Sequence, residues 1–403
     1  MKDNLLHKNM KTIVEEVKES RLEEAKKPVA MIFRHHLLPH SETFIRSQAE
    51  ALRCYQPHYV GMRLVQGLQI PAERTLAVNE GGLLGRMNEI STKVKGFAPN
   101  FVQKIRHLTP VLIHAHFGLD GAMVLPLARN LQLPLLVTFH GFDITVRDEY
   151  ANPSVGQWIY LRRREELKQE ARLFIAVSKF IKKKLLEHGF PSEKILVHYI
   201  GVDTELFQPN PVVQRQPIVL FVARLVEKKG CEYLIHAMSK VQAVMPEVEL
   251  VVIGDGPLRT SLEQLAGKKL RRYQFLGVQP PDLVLTWMNK AKVFSVPSIT
   301  AKSGDSEGFG MVFAEAQAMG LPVASFASGG IPEAVADGET GLLTHERDSE
   351  GLAACILRLL EDQELWQRLS QNGQERVRTI FNLHAQTRVL ESLYQERILC
   401  RNI

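Results

Sequence analysis

Short apolar runs alternate with amphipathic stretches along most of this 403-residue chain. Residues 29–33 form an unbroken apolar run, and 111–115, 134–138 and 173–177 repeat the theme. Runs of that length, without a polar residue at every second position, suit strands buried on both faces. The segments between them, 42–53, 120–131, 157–170 and 179–188, carry apolar residues at helical spacing. Strands alternating with helices predict a parallel sheet covered on both sides.

The pattern then breaks. Tyr199 to Pro211 is rich in turn residues and marks a domain boundary. Alternation resumes with strands at 218–223, 248–253, 273–276, 292–296 and 322–327. Helices are predicted at 230–244, 257–267, 281–290 and 311–319, and residues 350–399 read as mostly helical. The fold class is therefore α/β, with two doubly wound, Rossmann-like domains facing across a cleft. In such sheets ligands bind outside the carboxyl ends of the strands. The expected domains are 28–205 and 206–382. Residues 1–27 precede them as an amphipathic extension with Leu6, Met10, Ile13, Val14 and Val17 on one face.

Composition narrows the function classes. An apolar content of 45% is ample for two cores, and no run reaches the roughly 18 apolar residues of a membrane span. The Met1-Lys2-Asp3-Asn4 start lacks the apolar core of a signal peptide. Cys54, Cys231, Cys355 and Cys400 lie far apart, which fits reduced thiols in a cytoplasm and no zinc site. A net charge of +6 favours phosphate-rich ligands, anionic lipid or nucleic acid without choosing among them. Lys93, Lys95, Lys104 and Arg106, interleaved with Val94, Phe97, Phe101, Val102 and Ile105, form a candidate contact with an anionic membrane. A solvated helix face is the alternative.

The densest chemistry lies between Ser306 and Glu315. Gly308 and Gly310 flank Phe309 and let backbone approach a ligand, and a helix starts at Met311 and Val312. Its free N–H groups and positive dipole end suit a phosphate. Glu307 at the turn and Glu315 inside the helix can accept hydrogen bonds from sugar and ribose hydroxyls. Arg224 and Lys229 follow the 218–223 strand and can clamp a diphosphate, although a solvated turn fits them as well. Lys228 is expected to face solvent. Gly254 opens a two-glycine turn near Gly277-Val278, whose backbone can meet a base edge. His140 follows a buried strand and precedes Gly141, a place from which it can face the cleft and carry a proton. A structural histidine is the alternative. His114 and His116 share a strand face but have no third metal ligand in sequence. Ser325 to Glu333 either shapes the cleft floor or merely connects. The chain has no DxD pair, no GxSxG elbow and no GxxxxGK[ST] loop.

Together these residues resemble glycosyltransferase family 4, retaining enzymes of the GT-B fold, over residues 29–395. The matching pieces are Arg224 to Gly230, Gly254 to Pro257, Phe275 to Val278, Glu307 to Glu315, Gly341-Leu342-Leu343 and the 201–209 linker. The resemblance implies a hexose moved from a UDP- or GDP-sugar donor to a glycan acceptor, lipid-linked, without metal or cofactor. It implies that Arg224 and Lys229 hold the diphosphate, that Glu315 takes the ribose and that Glu307 contacts the moving sugar. Backbone from Phe309 to Val312 touches sugar and phosphate. His140 faces the donor from an acceptor-binding first domain, with Asp143 in its supporting turn. A final helix, 383–403, crosses back to that domain. The loop Leu38-Pro39-His40-Ser41-Glu42-Thr43-Phe44-Ile45 replaces the family's usual glycine pair, with Ser41 and Thr43 as candidate helix caps. That loop and Thr300 to Asp305 resemble the exopolysaccharide branch. The expected location is cytoplasmic, with the Lys93 to Arg106 stretch as the candidate contact with the inner face of a membrane, and no nucleic-acid partner is expected. The rival readings are a sugar-nucleotide epimerase or phosphorylase of the same fold, or a basic polyanion-binding protein.

Overall fold

A computed structural model describes residues 27–150 and 154–399, so the predicted extension over 1–27 lies almost wholly outside the described residues. Seven strands form the first sheet: β1 (Val29–Leu37), β2 (Gln56–Leu64), β3 (Thr75–Asn79), β4 (Pro110–His116), β5 (Leu135–Phe139), β6 (Leu173–Ala176) and β7 (Ile195–Val197). Their order is β3-β2-β1-β4-β5-β6-β7, and every neighbouring pair is parallel. The second sheet holds β8 (Ile218–Val222), β9 (Glu249–Ile253), β10 (Tyr273–Gly277), β11 (Val293–Phe294), β12 (Val323–Phe326) and β13 (Gly341–Thr344). It is parallel in the order β10-β9-β8-β11-β12-β13. Each sheet reverses its strand order beside its first strand, which opens a crevice at the carboxyl ends.

The apolar runs became central strands. Ala30 to Phe33, Ile113, Ala115, Leu136 and Val137 are all essentially inaccessible. β2, β3 and β7 were not expected. β2 opens on Gln56-Pro57-His58 and is interrupted by Gly61 and Arg63, so it lacks an apolar run. Gly61 is nevertheless required, because a Cβ there would sit 2.3 Å from the Arg34 carbonyl. β3 and β7 are short edge strands.

The chain leaves the first domain at Val202 and returns beside it at Asn382. Val202 N–H donates to the Phe381 carbonyl at 2.7 Å, and Leu383 N–H donates to the Val202 carbonyl at 2.9 Å. The helix Leu383–Leu393 then packs on the first sheet. Tyr394 is buried with Ala30, Leu112, Leu136 and Ile175. Glu391 accepts from the Arg53 and Cys54 amides at 2.8 and 2.6 Å. No helix among the described residues is long and apolar enough to cross a membrane.

Candidate active site

The two sheets meet with their crevices opposed, around a cleft of about 440 Å³. On the second-domain side, β8 feeds Arg224 into the cleft, and a short turn, Glu227–Lys229, adds Lys229. Gly230 ends that turn at φ +65°, with the Pro297 carbonyl where a Cβ would go. The segment after β11 brings in Glu307. Gly310, at φ +82°, then starts the helix Met311–Ala318, whose first N–H groups receive no side-chain cap. The positive end of that helix therefore faces the cleft unneutralised.

The carboxylates differ in state. Glu307 pairs with Lys229 and accepts from the Ser298 hydroxyl at 3.4 Å. Burial alone would raise its carboxyl, but the charges of Lys229 and Lys228 outweigh burial and hold it below the ordinary range. Glu315 has no hydrogen-bond partner for its carboxylate among the described residues, and burial pushes it up to about 7. Arg224 also lacks a side-chain partner there. One acceptor and one cation are thus free for a ligand.

The first-domain side is built around His140. Its backbone N–H and that of Gly141 donate to Asp143 at 3.2 and 2.9 Å, and the Gly118 amide donates to the other Asp143 oxygen at 2.9 Å. Burial lifts Asp143 to about 6 against those bonds. His140 Nε2 lies 3.0 Å from His116 Nδ1. Phe44 and Phe117 pack on its ring at centroid distances of 5.0 and 4.6 Å. Burial, then the charge of Arg34, hold His140 well below its ordinary value, so it is a neutral imidazole near pH 7.

Arg34 is the residue the sequence reading missed. It sits within β1, three residues before its carboxyl end, over the Phe117 ring, 4.3 Å from the centroid, and is paired with both Glu42 and Asp120. Burial opposes its charge, but the two carboxylates outweigh burial and keep it protonated. Its signal was present: Arg34-His35-His36 places three titratable residues at the carboxyl end of a buried strand.

The cleft gathers His140, Arg224, Lys229, Glu307, Phe309, Gly310, Met311, Val312 and Glu315. Three expected residues lie elsewhere. Gly308 forms the seam between domains: its carbonyl accepts from the Ser178 hydroxyl at 2.6 Å, and a Cβ would meet the His140 carbonyl at 2.0 Å. Gly254 packs its turn against Ala223, at φ +133°. Val278 points outward, 70% exposed. The Ser325 to Glu333 segment backs the site, since Gly330 N–H donates to the Glu307 carbonyl at 2.8 Å. Glu333 reaches across to the Lys179 and Phe180 amides at 2.8 and 2.9 Å.

Other expectations are corrected. Lys228 does not face solvent; its ammonium lies 2.9 Å from Asp305. Neither Ser41 nor Thr43 caps the helix Thr43–Glu50; Glu42 precedes it and turns inward to Arg34. Of the apolar residues proposed to meet a membrane, Phe101, Val102 and Ile105 belong to the core, because the helix Pro99–His107 must bury one face. His114 and His116 stack at 4.3 Å, and His114 binds the Thr138 and Tyr394 hydroxyls at 2.7 and 2.6 Å. No metal-binding group of three His, Cys, Asp or Glu occurs among the described residues.

Known proteins resemble this chain in sequence and in fold. Residues 42–206 match the family described as Glycosyltransferase Family 4, and residues 202–376 match Glycosyl transferases group 1. A putative colanic acid biosynthesis glycosyltransferase of Salmonella typhimurium is 32% identical over 290 residues, 70% of this chain and 69% of the relative. An amylovoran biosynthesis glycosyltransferase of Erwinia amylovora is 32% identical over 286 residues, again 70% and 69%. Among solved structures, Anabaena HepE in complex with UDP and glucose superposes with a TM-score of 0.73 at 22% identity, covering 91% of this chain and 99% of that one.

Proposed function

The chain belongs to glycosyltransferase family 4, and from that premise we propose that it is a retaining, metal-independent hexosyltransferase of exopolysaccharide synthesis. Its donor is a UDP- or GDP-sugar and its acceptor a lipid-linked glycan. The observation that carries the reading is the convergence in one cleft of Arg224 and Glu315, both without a side-chain partner among the described residues, the Lys229–Glu307 pair and an uncapped helix end, opposite a neutral histidine. The relatives named for colanic acid and amylovoran support the pathway class, and the UDP in the Anabaena protein favours the uridine arm.

In this reading the uncapped N–H groups, Arg224 and Lys229 take the charge that gathers on the diphosphate as its bond to the sugar breaks. These cationic groups fill the role a metal would otherwise have. Glu315 accepts the ribose hydroxyls. Glu307 holds a hydroxyl of the moving sugar, and the acceptor hydroxyl attacks from the face the diphosphate leaves, giving up its proton to a departing phosphate oxygen. Neutral His140 hydrogen-bonds the sugar without adding a repelling or protonating charge.

The lipid-linked part gains support from the helix Gly82–Lys95. It buries its small and polar side, Gly85, Glu89 and Thr92, and turns Leu83, Leu84, Met87, Ile90 and Val94 outward beside Arg86 and Lys95. Such a face suits the inner, anionic leaflet. Vesicles containing anionic lipid should retain the protein, and Leu84→Glu with Ile90→Glu should release it; equal binding by the double variant would remove this part. The reaction itself is tested by incubating the protein with labelled UDP- and GDP-hexoses, a glycan extract and a chelator. Transfer with the donor's anomeric configuration kept is expected, whereas an inverted product or strict metal dependence would refute the mechanism.

A further inference from the structure

Three imidazoles stand in a row behind the cleft: His114 and His116 at the carboxyl end of β4, and His140 just past β5. Of the three, His140 alone lines the cleft. We infer that His116 is a positioning residue for His140: one ring-to-ring hydrogen bond fixes which edge and which nitrogen of His140 the sugar meets. The inference rests on the transferase reading above.

The geometry is that of an in-line bond. His116 Nδ1 and His140 Nε2 are 3.0 Å apart, the ring centroids are 5.3 Å apart and the planes differ by 22°. Centroids that far apart, with nitrogens that close, require both centroids and both nitrogens to lie nearly on one line. The rings therefore meet edge to edge, along the direction in which an imidazole carries its lone pair or its N–H bond.

Packing alone leaves His140 undecided. Phe44 and Phe117 confine the ring, yet turning it over about its Cβ–Cγ bond exchanges nitrogen for carbon with almost no change of shape. The bond to His116 separates the two orientations. It also divides the work of the nitrogens. Burial, ahead of neighbouring charge, holds both imidazoles well below their ordinary value, so both are neutral near pH 7. A neutral imidazole has a single N–H, so one ring donates and the other accepts. His140 Nε2 is thereby taken. Its Nδ1 has no hydrogen-bond partner among the described residues and keeps the opposite role for a sugar hydroxyl.

His116 is itself held in place. It is buried, and His114 packs beside it with centroids 4.3 Å apart and planes within 24°. His114 is bonded at both nitrogens, Nδ1 to the Tyr394 hydroxyl and Nε2 to the Thr138 hydroxyl. Tyr394 follows the helix that returns from the second domain, so the returning segment buttresses the row that ends in the cleft. An apolar side chain at 116 would fill this space without burying a polar ring. What the imidazole adds is the bond to His140.

The test compares two substitutions in the full-length protein. His116→Phe keeps a planar ring and removes the nitrogen, whereas His116→Asn sets an amide near the former Nδ1, able to donate or accept. Side-chain ¹⁵N NMR should show His140 with one bare and one protonated nitrogen in wild type, and with averaged nitrogens in His116→Phe. With labelled UDP- or GDP-hexose and a glycan extract, turnover should fall about three- to tenfold in His116→Phe, the size of one lost hydrogen bond. His116→Asn should recover most of that loss, and donor KM should stay within about twofold in both. Identical His140 nitrogen signals in wild type and His116→Phe overturn the proposal. Equal losses of turnover in the two variants overturn it too, since a merely structural histidine gains nothing from the amide. If His116→Phe does not fold, His116→Leu takes its place. If neither UDP nor GDP binds wild-type protein, the transferase reading fails, while the nitrogen signals still decide whether His116 sets His140.

Discussion

The two walls of the cleft are made by opposite means. The second-domain wall is local: Arg224 and Lys229 lie five residues apart within 218–230, and Glu307 to Glu315 is one turn and one helix. It works with cations and backbone dipoles. The first-domain wall collects Arg34 from β1, Phe44 from the next helix, His116 at the end of β4 and Phe117 after it, Asp120, and His140 after β5. It works by burial, and its central group carries no charge. The comparison teaches how a positive arginine can stand near a neutral histidine of the cleft. Arg34 is matched by two carboxylates, so it is stable where it lies, while its field still discourages a second positive charge on His140.

The comparison can be broken most sharply at His140. His140→Ala should reduce transfer by about 10²- to 10⁴-fold, in the range of a lost proton-handling or polarising group, while UDP affinity stays within twofold. A parallel loss of UDP binding would mean that the first wall shares the charge-binding task. Next in size is Arg34→Met, which leaves Glu42 and Asp120 buried without their cation. A loss of about 3–5 kcal/mol in unfolding free energy is expected by denaturant titration. A change under about 1 kcal/mol would show that the cluster is not the anchor of this wall.

Lys229→Ala removes the ion pair with Glu307 and, in the proposed reading, a charge-assisted contact to the diphosphate. UDP should bind with about 1.5–3 kcal/mol less free energy by calorimetry. Unaltered affinity would contradict the clamp. The smallest effect concerns Glu315, which burial lifts from about 4.5 to about 7. Between those values the native protein holds a proton that the unfolded chain has lost, so this group's contribution to stability falls as pH rises through the window. Ribose hydroxyls favour the ionised form. UDP affinity should therefore climb by up to about tenfold from pH 6 to pH 8, and Glu315→Gln should flatten that rise. A flat wild-type profile would place the ribose elsewhere.

The difference between the walls also explains what could be read from sequence. Glycines with defined turn roles and a charged residue directly after an apolar run leave a local record, so Arg224, Lys229, Glu307 and Glu315 were legible. His140 was legible for the same reason, standing between a buried strand and Gly141. Arg34 was not, because its meaning depends on Asp120, 86 residues away, and on Glu42 across a loop. Lys228 looked solvent-facing because Asp305, its partner, is 77 residues distant. Phe101, Val102 and Ile105 looked like a membrane face because an amphipathic helix does not declare which partner its apolar side meets. β2 was missed for its proline, glycine and arginine, all unfavourable in a strand and tolerated here by pairing on both sides.

One calorimetric comparison tests the division of labour directly: UDP, and separately GDP, titrated without metal into the wild-type protein, His140→Ala and Arg224→Ala. The account predicts saturable binding of one nucleotide by wild type and His140→Ala alike, with clear weakening in Arg224→Ala. Binding that is lost in His140→Ala and kept in Arg224→Ala would contradict it.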